Sequence, residues 1–300
     1  MASLWGIDLG GTKTEGVVLP NGSTPQATCR RRIPTEANLG YEHILKRIVE
    51  LVHMMEQETG ERCEVLGIGT PGSEDPSTGL MKNCNTTVLN GRPLPRDLAN
   101  QLDRRVIVAN DANCFALAEA NLGAAKGCPI VFGVIMGTGV GGGIVVRGQV
   151  LTGAQGIAGE WGHNLLEPNG QQCYCGKVGC VETVLAGPGL ERYYAERSGV
   201  QRTLPEIVSR ARLGDDSAAV ETVCRLCAKF GEAISVVVNI LDPDAIVLGG
   251  GVGNVDELYT LGKAELEKWI FNPQPSVNLL KPELGDSAGV FGAAHLTLAV

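Results

Sequence analysis

No apolar run in this 300-residue chain approaches the roughly 18 residues of a membrane-spanning helix. The first residues also lack the basic, apolar and small-residue layout of a secretory signal. The chain is therefore expected to remain in the cytoplasm, with its ten cysteines reduced and some of them available to a metal. There is no stripe of Lys and Arg. Net charge is −8, and the short run Arg30-Arg31-Arg32 fits a solvated strand end, so no nucleic-acid or membrane partner is expected. Two common nucleotide motifs are missing too. No pair of glycines has P-loop spacing before a helix, and no Gly-x-Gly-x-x-Gly opens one. Tandem repeats of 20–50 residues are absent. What remains, at 44% apolar and 19% charged residues, is a globular chain with room for one large or two medium domains.

Glycine is concentrated where it matters. Gly137-Thr-Gly-Val-Gly-Gly-Gly143 holds five glycines in seven positions, after the apolar run Ile130–Met136 and before Ile144-Val-Val146. Such a turn either supplies a tight hairpin or bares its amide N–H groups to an anion that side chains would block. A second copy of the idea, Trp5-Gly-Ile-Asp-Leu-Gly-Gly-Thr-Lys-Thr-Glu-Gly-Val-Val-Leu19, is again strand, glycine turn and strand. Two such loops could hold one polyphosphate between them. Asp8, Gly10, Gly11, Thr12 and Lys13 form the first loop; Gly137, Thr138 and Gly139 form the tip of the second.

Elsewhere strands and helices alternate, which predicts an α/β fold. After a hairpin turn at Asn21-Gly22 and a strand near 26–33, Ile44, Leu45, Ile48, Leu51, Val52 and Met55 fall at helical spacing. Val65–Gly69 reads as a buried strand, a loop rich in Gly, Pro, Asn and Ser runs to about Pro93, and Val106–Ala109 is another buried strand. A helix over 112–121 follows, and a boundary is expected at 115/116 between a small N-terminal domain and a larger one over 116–288. Three helical segments are expected between Val181 and Ile240, stopped by Asp242-Pro243. Ala245–Gly251 reads as strand and glycine turn, a helix is expected near 255–271, and a C-terminal helix over 289–300 is expected to pack back on the first domain.

Asp8 ends a buried strand just before Gly10-Gly11, where a carboxylate can either orient Mg²⁺ through water or cap the turn. Asn110-Asp111 also ends a buried strand, at the mouth of a helix, which is where open α/β sheets place their ligands. Asp111 there can accept the proton of an alcohol attacking a phosphoryl group. Alternatively, Asn110-Asp111 caps the helix. His163, Cys173, Cys175 and Cys180 have the composition and spacing of a Cys₃His zinc site with no open position, against the alternatives of free thiols or a disulfide. Near that loop Glu160, His163 and Glu182 could pair with sugar hydroxyls. The remaining cysteines, including Cys224 and Cys227, read as core.

Taken together, Ile7–Lys13, Gly67–Gly72, Asn110–Asn113, Gly137–Gly143, Gly159–His163, Cys173–Glu182 and Val247–Gly251 resemble the ROK family (repressors, open reading frames and sugar kinases) of the hexokinase/actin superfamily. The resemblance covers essentially the whole chain. It implies a two-domain actin/hexokinase-like fold, ATP and Mg²⁺ as cofactors, a structural Zn²⁺ and a homodimer. By the same resemblance Asp8–Lys13 and Gly137–Gly139 hold the phosphates, and Gly249, Gly250 and Gly251 lie by the adenosine. Asp111 becomes the base, while Gly72, Asn85, Asn110, Glu160, His163 and Glu182 take the sugar. The stretch Lys82–Gly91 and Gly159–Asn164 resemble bacterial fructokinases of the manno(fructo)kinase type, so fructose or mannose is the expected acceptor, with N-acetylglucosamine, N-acetylmannosamine or glucose as the alternative. The His163–Cys173 spacer is shorter than the family's, so the sugar-side loop is expected to differ. Repressors of the family carry a helix-turn-helix before the first phosphate strand; here that strand starts by Leu4, and a kinase is expected instead.

Overall fold

The computed structural model describes residues 2–20 and 24–299. The turn expected at Asn21-Gly22 lies outside the described residues. In chain order the elements begin with β1 (Leu4–Leu9), β2 (Lys13–Leu19), β3 (Cys29–Pro34), α1 (Tyr41–Thr59) and β4 (Val65–Thr70). The short strands β5 (Ser73–Glu74) and β6 (Met81–Lys82) follow, then α2 (Leu94–Leu102), β7 (Arg105–Asn110) and α3 (Asp111–Asn121). Next come β8 (Ile130–Met136), β9 (Val140–Val146), β10 (Gln149–Val150), α4 (Val181–Leu185), α5 (Gly187–Ser198), α6 (Leu204–Leu213) and α7 (Ser217–Leu241). The chain closes with β11 (Ala245–Gly249), α8 (Gly250–Gly253), α9 (Lys263–Glu267), β12 (Leu279–Leu280) and α10 (Ala288–His295). No described helix is long and apolar enough to cross a membrane.

Two compact units result. The first runs to Gly127, past the expected boundary at 115, and takes in Gly143–Ala158 and the chain from Glu283 onward. Its sheet has the order β3-β2-β1-β4-β7, antiparallel through the first three strands and parallel from β1 to β7. The apolar face of α1 read from the sequence is buried throughout, from Ile44 to Met55. It joins Trp5, Ile7, Leu66 and Ile68 in one core. Full burial of each such side chain is worth about 1.5–3 kcal/mol.

On the other face, α10 lies unusually close to the backbone. A Cβ on Gly67 would stand 1.8 Å from the Ala293 carbonyl oxygen, and one on Gly6 would stand 2.3 Å from the Ala294 nitrogen. One on Gly292 would stand 1.7 Å from the Cys114 carbonyl oxygen, so α3 and α10 also meet backbone to backbone. These glycines let the C-terminal helix seat itself on β1, β4 and α3. That contact is why α3 stays with the first unit.

The second unit comprises Cys128–Gly142 and Gly159–Pro282. Here β8 and β11 pair in parallel from Val131–Ala245 to Ile135–Gly249, with β12 alongside β11. The full strand order of this sheet is β10-β9-β8-β11-β12. Asp216 caps α7 by accepting from the Ala219 N–H, and Asp242 ends it in the left-handed region (φ 46°) just before Pro243.

Departures from the sequence reading are local. The polar stretch before Pro93 contains the β5–β6 hairpin, and α2 follows it unanticipated, although Leu94, Leu98 and Leu102 bury one helical face. Four helices, not three, lie between Val181 and Leu241, because α5 restarts with Pro188 in its first turn. The helix expected near 255–271 runs continuously from 257 to 267, with a π-helical turn, Leu258–Gly262, leading into α9. Cys224 is exposed, against the expectation of a core residue, while Cys227 is buried.

Gly67→Ala tests the backbone approach. It should lower unfolding free energy by about 3 kcal/mol, or prevent folding, since α10 must move to admit the methyl group. Urea denaturation of the two proteins measures it.

Candidate active site

In the first unit the β1–β2 turn is built by the Gly10 N–H donating to the Lys13 carbonyl at 3.0 Å. The Thr35 hydroxyl donates to the Gly10 carbonyl at 2.7 Å. Asp8 is half-buried near the end of β1, and its pKa is raised from 3.8 to about 6. Burial is the largest cause, followed by the charge of Asp111 and then that of Glu15; Lys13 and Arg32 pull the other way. Glu15, paired with Asp8 across the hairpin, is buried and held ionised below its usual pKa by Arg30 and Arg32. The latter guanidinium donates at 2.6 Å. Two of the three consecutive arginines are thus tied to the sheet and not merely solvated.

Asn110 ends β7 and Asp111 begins α3. The capping task falls to Asn110, whose side-chain oxygen accepts from the Asn113 N–H at 2.8 Å. Asp111 accepts from its neighbour, the Ala112 N–H, at 2.8 Å. Its side chain is open to water, yet the surrounding protein raises its pKa above the ordinary carboxylate value, an effect that the backbone N–H opposes. Cys114, one turn further on, is fully buried and its thiol is pushed up by burial and by the charges of Asp8 and Asp111. The three groups therefore share one corner. Composition reading treated Cys114 as core filler; nothing in its spacing reveals the carboxylates above it. Gly72 is accounted for by packing, since a Cβ there would stand 2.5 Å from the Cys84 sulfur. Asn85 is exposed, with its N–H donating to the Pro71 carbonyl at 3.2 Å.

In the second unit the β8–β9 turn closes on itself through Gly137 N–H to Gly139 carbonyl, 2.9 Å. Thr138 is exposed at its tip. At Gly137 the fold makes no demand for glycine: φ is negative and a Cβ would meet nothing within 4 Å. The same holds for Gly251. Gly250, by contrast, has φ +78° and would clash with the Met136 carbonyl, so the backbone explains it; Gly249 is the last residue of β11. At Gly11 in the first unit a Cβ would meet only the Thr86 hydroxyl, at an ordinary contact distance of 3.5 Å. Bare backbone at Gly11, Gly137 and Gly251 serves no packing purpose and leaves room for a group held by amides.

Glu182, in the first turn of α4, accepts from the Val140 N–H at 3.0 Å, just beyond that turn. Its other oxygen lies 3.6 Å from the Cys173 sulfur. Glu182 therefore joins the glycine turn to the cysteine loop and is not a free charge at a helix start. Glu160 precedes the 3₁₀ turn Trp161–His163. One ligand atom from each of His163, Cys173, Cys175 and Cys180 lies within 4.8 Å of the others. His163 turns Nδ1 toward the Cys173 sulfur at 3.7 Å, and Cys175 and Cys180 approach to 3.6 Å. Burial pushes the Cys173 thiol up to about 12. A divalent cation would reverse that, because it binds thiolates. Three sulfurs and one imidazole within such a radius fit tetrahedral zinc and leave no position for substrate. Tyr174, which the sequence reading passed over, stands over His163 with its hydroxyl 3.2 Å from Nε2.

Two mixed α/β units opened by strand–glycine turn–strand hairpins are the actin/hexokinase class of fold. Within it the chain belongs to the ROK family, whose model matches residues 4–300. It is similar to an N-acetyl-D-glucosamine kinase of Pasteurella multocida (strain Pm70), 37% identical over 309 residues, covering 98% of this chain and 99% of that protein. Among solved structures it resembles a ROK hexokinase from Thermus thermophilus, with a TM-score of 0.88, 33% identity and 98% and 97% of the two chains covered. A ROK family glucokinase from Streptomyces griseus, solved with glucose and AMPPNP, gives a TM-score of 0.77 at 27% identity, covering 98% of each chain.

Asp8 makes a pH prediction. A carboxyl raised to about 6 in the fold stabilises the protein fully below about pH 4 and loses that contribution as pH rises through 6. Relative to Asp8→Asn, which cannot titrate, the wild-type protein should lose about 2 kcal/mol of stability between pH 4 and 7.5. Urea titrations of both proteins at the two pH values measure the difference.

Proposed function

We propose that this protein is an ATP-dependent sugar kinase, and that N-acetylglucosamine, phosphorylated on its primary hydroxyl, is its acceptor. The observation that carries the reaction type is the division of labour at Asn110-Asp111: Asn110 caps α3 and leaves the Asp111 carboxyl water-accessible, with its pKa raised, beside Asp8. In this reading Asp111 accepts the hydroxyl proton as the new bond forms, and most of the barrier falls through positioning and charge neutralisation. Backbone amides of Gly10–Lys13 and Gly137–Gly139 hold phosphate oxygens, and the bare backbone at Gly251 makes room for the adenosine beside Gly249 and Gly250. Two carboxylates at one corner call for a cation. Asp8 would orient a hydrated Mg²⁺, which supplies neutralisation of phosphate charge when bound. Gly72, Asn85, Asn110, Glu160, His163 and Glu182 would surround the sugar, and zinc on His163, Cys173, Cys175 and Cys180 would fix the loop that carries the last three of them into place.

The acceptor is where the sequence reading needs revising. Fructose or mannose was expected from the stretch after Lys82, but the relative matched along its whole length is named for N-acetyl-D-glucosamine, and none of the similar proteins above is named for fructose.

ADP release coupled to a sugar panel tests the acceptor. N-acetylglucosamine should give the highest kcat/KM among N-acetylglucosamine, N-acetylmannosamine, glucose, mannose and fructose. Turnover on none of them contradicts the kinase, and fructose as the best substrate contradicts the acceptor. Metal analysis of the purified protein should find about one zinc per chain. Cys180→Ser should lose the metal and with it sugar affinity; full sugar binding in zinc-free protein would contradict the structural role.

A further inference from the structure

The exposed tyrosine of the cysteine loop occupies a position that the chemistry of the site assigns to its ligand. Tyr174 lies between two of the clustered cysteines and keeps 72% of its surface exposed, an unusual cost for an aromatic ring with no core to join. Its ring meets the His163 imidazole edge to face, centroids 5.3 Å apart at 84°. Its hydroxyl reaches Nε2 at 3.2 Å. His163 turns Nδ1 to the sulfurs and Nε2 to the Tyr174 hydroxyl, so a metal bound at Nδ1 would leave the proton on Nε2. That N–H has one good hydrogen bond to give. The Tyr174 hydroxyl, beside that nitrogen and near enough to Glu182 and Glu160 to feel their charge, has surroundings a sugar hydroxyl would use: an imidazole and two carboxylates.

We infer that Tyr174 is a built-in competitor for the sugar, its hydroxyl holding the place on His163 Nε2 that a sugar hydroxyl takes on binding. The inference rests on the reading of His163 as a sugar contact. Binding then proceeds by exchange: the Nε2 hydrogen bond passes from the phenol to the sugar, and the Tyr174 side chain swings into solvent, which its exposure permits. The exchange lowers apparent affinity and favours acceptors able to supply both a hydroxyl acceptor for Nε2 and donors for the carboxylates. Tyr174 acts on affinity and not on the transferred phosphoryl group.

Tyr174→Phe keeps the ring and removes only the competing oxygen. Calorimetric titration of zinc-loaded protein with N-acetylglucosamine in the absence of nucleotide should show a Kd about three- to tenfold lower in the variant, the worth of one neutral hydrogen bond. Zinc content and kcat should be unchanged. An equal or higher Kd with zinc retained overturns the inference while leaving the kinase intact. A wild-type protein that binds no sugar overturns the functional reading and this inference with it. Nitration of Tyr174 in the wild-type protein, followed by peptide mass, gives a second reading should the variant lose its metal. Saturating sugar should accelerate it by freeing the phenol, and slower or unchanged nitration contradicts the exchange.

Discussion

Asp8 and Asp111 are two like charges brought to one corner of the first unit, Asp8 half-buried and Asp111 open to water. Each raises the cost of ionising its surroundings: Asp111 helps push Asp8 up to about 6, and both push the buried Cys114 thiol upward. The walls of the corner are small by necessity. Cys114 stands beneath, and Gly289 on α10 would place a Cβ 3.2 Å from an Asp8 oxygen. A methyl group at Gly289 would press on the Asp8 carboxyl and require it to give by a few tenths of an ångström. Carboxyls perturbed in this way cluster at functional sites.

That corner is held by backbone contact more than by side chains. Gly6, Gly67 and Gly292 let β1, β4, α3 and α10 approach until main-chain atoms touch, which fixes the strand ends carrying Asp8 and Asn110-Asp111. In the second unit Glu182 plays the connecting part. Its two oxygens reach the Val140 N–H beside the glycine turn and the sulfur of Cys173, so the turn and the cysteine loop are one mechanical piece. A loop this rich in glycine has little intrinsic order, and a metal held by the four side chains that cluster within 4.8 Å would be a means to impose it.

Much of this was legible in the sequence because local chemistry dictated it. The helical spacing from Ile44 to Met55 and the strand–glycine–strand hairpins depend on residues close together in the chain and formed as read, and His163, Cys173, Cys175 and Cys180 cluster as their spacing suggested. Which of Asn110 and Asp111 caps α3 was not, since either residue can cap and only the hydrogen bond to Asn113 decides between them. Long-range proximity was invisible as well. Cys114 looked like filler until the fold set it under two acids, and Tyr174 looked like a spacer between two cysteines until His163 turned toward it. Sugar choice was the least readable feature: the stretch Lys82–Gly91 pointed to fructose, whereas the relative similar along its whole length is named for N-acetyl-D-glucosamine.

The account turns on whether Asp111 moves a proton or merely occupies a helix start. Asp111→Asn preserves size, the Ala112 contact and the Asn110 cap, and removes only the basic oxygen. Sugar affinity measured by calorimetry should stay within a few-fold of wild type, while kcat falls by about a thousandfold. A variant that binds sugar and turns over near the wild-type rate would show that the carboxylate is no base, and the mechanism drawn from it would not stand.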